Sequence, residues 1–169
     1  VLQTTWPTGF DVVLLGGNCL YELTTPEEQA QVIAAAANAL RPGGHLLVDN
    51  DHMEGELNRT WYDPAVCDGV FPTGECADGT RLAGSWRVIW YDASRRLIRF
   101  ERRTRITWPD GSVGERTYIQ QKHPVSAQEV AGWLTAHGLV IEQHWGDYEG
   151  RPYTDDAPRA IFWARKESA

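Results

Sequence analysis

Apolar and polar positions between Phe10 and Asp51 follow a pattern that predicts a strand, a helix and a second strand. Asp11–Leu15 is a short apolar run with β-branched valines, bounded by glycines, which is typical of a strand buried on both faces. His45–Val48 is a second run of the same kind. Between the two runs, four apolar residues recur at helical spacing: Ala30, Ile33, Ala37 and Leu40.

The ends of this helix are marked by residues that favour helix termini. Thr25 is suited to the N-cap and Pro26 to the first helical position, and Glu28 at the third position completes a capping box. The sequence Pro42-Gly43-Gly44 ends the helix and turns the chain. A strand, helix and strand of these lengths predict a βαβ unit in a parallel sheet.

Small and polar residues follow both predicted strands. Gly16-Gly17-Asn18-Cys19 comes after the first strand, and Asp49-Asn50-Asp51-His52 after the second. Because ligands of open parallel sheets bind beyond the carboxyl ends of the strands, these two segments are the candidate active site.

The pattern changes to period two in residues 85–125. Segments 85–92, 97–108 and 113–125 alternate apolar and polar residues and are separated by turn residues, which predicts a three-stranded antiparallel meander. One side of the middle segment carries arginines, which we interpret as a solvated face with cross-strand Glu partners. Residues 52–84 show no periodicity, so we expect a loop that covers the pocket, or else a surface excursion without a role.

The last part of the chain returns to α/β patterning. Ser126 and Glu129 form a capping box for a helix that extends to about His137. Leu139–Trp145 reads as a strand, and Ala160–Ala164 reads as a final apolar strand after a polar loop.

Composition narrows the function classes. The 169 residues suit a single domain with a real core, and the net charge of -7 disfavours nonspecific binding to nucleic acids. No apolar run approaches the roughly 20 residues of a membrane helix. Three unevenly spaced cysteines indicate free thiols in a reducing compartment, so we expect a cytoplasmic protein. The oligomeric state stays open.

The runs FDVVLLGGN and LRPGGHLLVD resemble the second half of a class I S-adenosylmethionine-dependent methyltransferase. The loop GGNCLYEL is most similar to that of small-molecule N-methyltransferases acting on glycine or sugar amines. The resemblance implies an α/β, Rossmann-like sheet with an antiparallel insert walling the acceptor pocket, and a last strand that is antiparallel. No G-x-G-x-x-G run precedes the first strand, so we expect the N-terminal strands and the Gly-rich loop to lie upstream of Val1.

The resemblance also implies roles for single residues. The cofactor S-adenosylmethionine would lie against a set of residues after the first strand: Gly16, Gly17, Asn18, Tyr21 and Glu22. The acceptor, a small molecule and in our reading an amine, would meet Asn18, Asp51 and His52. His52 is the candidate general base because imidazole titrates near neutrality, and Asn18 both donates and accepts hydrogen bonds. Relatives of the glycine type place an arginine near Asp51, so an acidic residue here favours a cationic or sugar-like acceptor over glycine.

Three alternatives remain at this stage. The chain is also compatible with a noncatalytic binding domain built on a methyltransferase-like half, and with a nicotinamide-dependent enzyme on a similar sheet. Asp49-Asn50 invites a third, a metal-dependent O-methyltransferase, but Gly16 and Gly17 stand where that chemistry needs another oxygen ligand. We therefore predict no metal site.

Overall fold

A computed structural model describes residues 4–54 and 68–167. The chain divides into two compact units, the first formed by residues 1–57 and 123–169 and the second by residues 58–122. The elements follow in chain order: β1 (Phe10–Leu15), a 3₁₀ helix (Cys19–Glu22), α1 (Pro26–Ala39), β2 (Leu40–Asp51), β3 (Asp68–Glu75), β4 (Arg81–Asp92), β5 (Leu97–Thr107), β6 (Val113–Lys122), α2 (Ala127–Ala136), β7 (Leu139–Trp145) and β8 (Arg159–Lys166). Among these, no helix is long and apolar enough to cross a bilayer.

The first unit contains a mixed four-stranded sheet in the order β1-β2-β8-β7. β1 and β2 run parallel, as the βαβ pattern predicted, and Leu15 pairs with Val48 at their carboxyl ends. The last strand, β8, is antiparallel to both β2 and β7. Leu46, Val48 and Phe162 are buried on the face of the sheet where the helices pack.

The caps of the two helices show how local sequence sets these elements. At α2 the predicted capping box is complete, because the Ser126 side chain accepts from Glu129 N–H and the Glu129 carboxylate accepts from Ser126 N–H. At α1 only half of the box forms. Thr25 Oγ1 accepts from Glu28 N–H, but the Glu28 carboxylate accepts from the N–H of Thr24 rather than from Thr25.

The prediction that β1 is buried on both faces was wrong. Leu15 is buried, whereas Phe10, Val12 and Leu14 are 44%, 44% and 66% exposed. Among the described strands β1 pairs only with β2 and lies at the edge of the sheet. These alternate residues point to one face, and that face carries no helix in the described part of the chain.

The second unit is an antiparallel sheet in the order β3-β4-β5-β6. The described residues of this unit form four strands, where the sequence predicted three. Residues 68–75 form β3, and β4 begins at Arg81, so much of the segment interpreted as a covering loop belongs to this sheet. The part of that loop from 55 to 67 lies outside the described residues. The sequence of β3, DGVFPTGE, contains two glycines and a proline and no run of valine or isoleucine. Strand propensity therefore does not predict this strand.

The polar face of this sheet has carboxylate partners for its arginines, both across strands and along β5. Glu101 Oε1 accepts from Arg87 Nε and from Arg103 Nε, both at 3.0 Å. On the opposite face Phe100 is buried, and its ring meets Trp86 edge to face at 5.7 Å. The arginines are thus engaged with a carboxylate on a solvated face.

Candidate functional site

The segments that follow β1 and β2 are joined at the carboxyl edge of the sheet, as the parallel pairing requires. Asn18 N–H donates to the carbonyl oxygen of Asp49 at 3.1 Å. The Asn18 side chain donates from Nδ2 to Asp51 Oδ2 at 2.7 Å, and its Oδ1 accepts from Asp51 N–H at 2.5 Å. The two segments, Gly16–Cys19 and Asp49–His52, are called the two tips below. They form one site, because the Asn18 and Asp51 side chains are hydrogen-bonded to each other.

The backbone of the first tip is open to a ligand. Gly17 and Asn18 both have φ of 63°, the left-handed region, which glycine adopts freely and asparagine tolerates. Apart from its chain neighbours, a Cβ atom built on Gly16 or on Gly17 would meet no atom of the described residues within 4 Å. Free space thus lies directly against the chain at these two residues, as expected where a small molecule approaches the backbone.

Asp49 is held by a residue that sequence reasoning did not select. The guanidinium of Arg159 donates from Nε and Nη2 to Asp49 Oδ1 at 2.9 and 2.6 Å, and from Nη1 to Asp51 Oδ1 at 2.5 Å. The Tyr148 hydroxyl donates to Asp49 Oδ2 at 3.0 Å, and its ring centroid lies 4.5 Å from the Arg159 guanidinium carbon. Gly17 N–H donates to the same oxygen at 3.3 Å.

This ion pair network leaves a net negative charge at the edge, since two carboxylates share one guanidinium. Favourable hydrogen bonding and the two negative neighbours raise the pKa of Arg159 even though burial acts against it. A cavity of about 340 Å³ opens beside the network, and Asp49, Trp145, Tyr148 and Ile161 line part of it. A volume of this size is within the range of small-molecule sites.

The structure places His52 differently from a solvent-facing general base. Its side chain is only 3% exposed. Nδ1 lies 2.8 Å from the carbonyl oxygen of Ala157, and Nε2 lies 3.1 Å from the hydroxyl of Tyr153. A carboxylate oxygen of Glu54 is 3.5 Å from Nε2. The imidazole is thus enclosed by the loop between β7 and β8, and the Tyr153 hydroxyl lies within hydrogen-bonding distance of its Nε2.

Tyr21 is also placed differently from the predicted cofactor contact. The residue is fully buried, and its hydroxyl donates to the carbonyl oxygen of Asp51 at 2.5 Å. Burial raises the pKa of Tyr21 well above its usual range, and Asp51 and Glu54 add to this. The ring is therefore part of the site's support, because a buried phenol satisfies its hydroxyl on the backbone instead of facing a ligand. Glu22 next to it is exposed, and its cofactor contact stays a prediction.

The remaining polar residues of the two tips point in different directions. Cys19 is an exposed free thiol, and desolvation together with the nearby Asp49 raises its pKa, which disfavours the thiolate form of a nucleophile. Asn50 turns to the other face of β2 and is 1% exposed, beside Val130 and Ala160. Its amide has no hydrogen-bonding partner in the part of the chain that the structure describes.

The fold of this chain is similar to that of several solved structures. A sugar N-methyltransferase, KedS8 from Streptoalloteichus, superposes with a TM-score of 0.69 at 19% identity, over 99% of this chain and 60% of that one. An S-adenosylmethionine-dependent methyltransferase from Clostridium acetobutylicum gives a TM-score of 0.74 at 10% identity, over 99% and 62%. CalS10, an amino pentose methyltransferase from Micromonospora echinaspora, gives 0.65 at 19% identity, over 98% and 61%.

This chain has the fold of the S-adenosylmethionine-dependent methyltransferases. It spans about 60% of the length of the methyltransferase structures it matches. No family model and no curated protein matches this chain. At these identities the similarity concerns the methyltransferase fold, and the residues described above are the ones that this fold brings to the carboxyl edge of the sheet.

Proposed function

We propose that this chain belongs to an enzyme that transfers a methyl group from S-adenosylmethionine to a small-molecule acceptor, an amine. The observation that carries the proposal is the joined edge of β1 and β2 on a methyltransferase fold, where the Asn18 side chain interlocks with Asp51. When bound, S-adenosylmethionine would supply a methyl group already activated on a sulfonium, so the protein's contribution is positioning and proton transfer.

The residues present fit such a cofactor. The open backbone at Gly16 and Gly17 would hold its methionine and ribose part at close range, and the exposed Glu22 lies on the 3₁₀ helix that follows. Asn18 uses one N–H and one oxygen lone pair on Asp51, which leaves one donor and one acceptor for a ligand. The excess negative charge of Asp49 and Asp51 over Arg159 supports a cationic or polar acceptor, as a sugar amine would be.

Binding of S-adenosylhomocysteine tests the proposal at the residues themselves. In ¹⁵N-labelled protein, millimolar S-adenosylhomocysteine should shift the amide signals of Gly16, Gly17 and Asn18. A Gly16→Leu variant should lose these shifts because the side chain fills the open space, while Gly132→Leu, where a Cβ also meets nothing, should keep them. Shifts confined to other parts of the chain, or no shift, would overturn the proposal.

The affinity itself is a second prediction. These 169 residues contain no G-x-G-x-x-G run ahead of the first strand, so we expect the chain to make only part of the contacts that hold this cofactor. Calorimetric titration of this chain with S-adenosylhomocysteine should then give a dissociation constant weaker than micromolar. Micromolar binding would mean that the complete site lies elsewhere in this chain.

A noncatalytic binding domain is the second candidate, and the enclosure of His52 favours it over direct base catalysis by that residue. It predicts ligand shifts at the same edge without methyl transfer to any amine. A metal-dependent O-methyltransferase is less compatible with the site. Both oxygens of Asp49 are already engaged, by Arg159 on one side and by Tyr148 and Gly17 on the other.

A further inference from the structure

We propose that the hydroxyl of Tyr153 takes the proton from the acceptor amine and passes its own proton to Nε2 of His52. The inference rests on the proposed function and assigns its acid–base step to a loop between β7 and β8 that sequence reasoning left without a role. Tyr153 is the group that would touch the acceptor, and His52 acts through it.

The tautomer of His52 is the first support. The Ala157 carbonyl oxygen can only accept, so Nδ1, 2.8 Å away, carries a hydrogen. In the neutral ring Nε2 is then the acceptor, and the Tyr153 hydroxyl at 3.1 Å donates to it. A buried imidazole is thus held with its Nε2 lone pair directed at the hydroxyl of a half-buried tyrosine, which is the arrangement a proton relay requires.

Tyr153 lies at the same sheet edge as the interlocked Asn18 and Asp51. Asp51 and His52 are consecutive residues, so Asn18 and Tyr153 each contact a residue at the carboxyl end of β2. His52 N–H also donates to Pro158 O at 2.9 Å, which ties the loop to this end of β2. Tyr153 is half-buried, whereas the His52 ring is enclosed, so Tyr153 is the member of the pair that is partly exposed.

The Tyr153 ring is fixed from behind by aromatic stacking. It lies on the ring of His144 at 4.0 Å with an interplanar angle of 13°, and His144 stacks in turn on Phe162 at 4.0 Å. Tyr153 N–H donates to the carbonyl oxygen of His144 at 3.0 Å. Fixed orientation matters here, because a relay works only when donor and acceptor hold hydrogen-bonding distance.

The charges around the pair favour a proton on His52 after transfer. The charged and titratable groups near the His52–Tyr153 pair come from the segment after β2, from β7 and from the loop between β7 and β8: Glu54, His144, Asp155 and Asp156. Desolvation, with a contribution from His52, lowers the pKa of His144 to about 4, so that ring is neutral and does not oppose an imidazolium. Glu54 and Asp156 are negative and stabilise one.

In the proposed step, the Tyr153 hydroxyl receives one proton and gives up another. Burial, then Glu54 and Asp155, raise the pKa of Tyr153, so it stays a phenol and gives up its proton only as it receives another. The ammonium form of the acceptor loses one proton to the Tyr153 oxygen, and the Tyr153 proton moves to His52 Nε2. With S-adenosylmethionine bound, the freed amine lone pair would form the new N–C bond while the S–C bond broke and left its electron pair on sulfur. The imidazolium then releases the proton to water.

The tautomer can be tested without any activity. Long-range ¹H–¹⁵N spectra of ¹⁵N-histidine-labelled protein at neutral pH should show His52 protonated at Nδ1 and bare at Nε2. In Tyr153→Phe the Nε2 signal should move by several ppm, because its hydrogen bond is lost. Tyr148→Phe, which removes the other tyrosine hydroxyl of the same loop, one bonded to Asp49 rather than to His52, should leave that signal in place. An Nε2-protonated His52 would overturn the proposal.

Transfer from methyl-labelled S-adenosylmethionine to D-glucosamine, the probe amine, tests the relay itself. Tyr153→Phe and His52→Gln should each lower kcat at least 30-fold near neutral pH with KM changed less than threefold. The loss should shrink as pH rises, since the amine then loses its proton to water, while Tyr118→Phe in the second unit should match the parent chain. A loss equal at every pH indicates a merely structural role and contradicts the relay, as does an unchanged rate.

The two proposals fail in different ways. If S-adenosylhomocysteine leaves Gly16–Asn18 unshifted, the methyltransferase function fails whatever the state of His52. If those shifts appear and His52 has the wrong tautomer, only the relay fails. If D-glucosamine is not methylated by the parent chain, the tautomer measurement decides the relay by itself.

Discussion

At the scale of single residues, Arg159 is the group on which the candidate site most depends. Its guanidinium is 16% exposed and reaches two carboxylates, of which Asp49 is 11% and Asp51 25% exposed. Charges in such positions are stable only when paired, because burial weakens their hydration. One cation at the start of β8 thus allows two acidic residues to stand at the end of β2.

Replacing Arg159 with methionine should expose how strongly this network holds the edge. We expect Arg159→Met to lower the free energy of unfolding by about 2–4 kcal/mol, because it leaves two half-buried carboxylates without their cation. Urea denaturation followed by circular dichroism measures the change. Arg151→Met is the matched control, since that guanidinium is 70% exposed in its pairs with Asp147 and Glu149, and it should cost less than about 1 kcal/mol. Equal losses would contradict the role given to Arg159.

His144 makes stability depend on pH. Its pKa in the folded chain, about 4, is below the 6.5 of an unperturbed imidazole, so the unfolded chain binds a proton that the folded chain refuses in this interval. The free energy of unfolding should therefore fall as the pH drops from 6.5 to 4, by on the order of 1 kcal/mol for a partly exposed ring, and this contribution should level off below 4.

A stack-preserving variant, His144→Phe, should remove this part of the pH dependence. Unfolding midpoints in urea at a series of pH values give the slope directly. Substitution of the exposed His137 by glutamine should leave the slope of the parent chain unchanged. A slope that survives in His144→Phe would assign the proton to another group.

At the scale of elements, the approach of β1 to β2 is set by a glycine. A Cβ on Gly44 would lie 2.9 Å from the carbonyl oxygen of Phe10 and 3.1 Å from that of Asp11, both on β1. The extended chain can pass this close only without a side chain, so Gly44 allows the parallel pairing that brings the two tips together.

Gly44→Ala should consequently destabilise the chain by about 1–3 kcal/mol, because backbone atoms rather than a flexible side chain would have to move. The matched substitution Gly132→Ala lies in α2, where a Cβ meets nothing within 4 Å, and should stabilise by about 0.5–1 kcal/mol through helix propensity. Thermal unfolding of the two variants should thus shift in opposite directions. A neutral Gly44→Ala would show that the strands do not approach this closely.

At the scale of the whole molecule, β1 carries an exposed apolar strip, and its outer edge pairs with no other strand among the described residues. Phe10, Val12 and Leu14 are each at least 44% exposed, although such residues are usually buried in a parallel strand. Exposed apolar edge strands promote association of chains.

Leu14→Lys should reduce self-association without loss of stability. Light scattering at increasing concentration should show less aggregate, and the free energy of unfolding should stay within about 0.5 kcal/mol, as for other surface substitutions. Leu15→Lys, one residue further and 5% exposed, should destabilise strongly because it buries a charge. If Leu14→Lys unfolded the chain as Leu15→Lys does, the edge would not be exposed.

Features set by residues close together in the sequence were predictable, whereas features set by pairing between distant residues were not. The sequence predicted the Ser126–Glu129 capping box, the cap at Thr25 and the parallel strands. These features depend on residues three positions apart and on apolar periodicity, which can be recognised in a short stretch of sequence. β3 was not, since its stability comes from pairing with β4 rather than from its own propensity.

The sequence by itself determined that polar tips would follow two parallel strands, because strand direction and the residues after each strand are local properties. Only the tertiary structure decided which groups those tips meet. Arg159 comes to Asp49 from 110 residues away, and Tyr153 to His52 from 101 residues away. Pairings over such separations are set by how the strands order in the sheet, and no periodicity records that order.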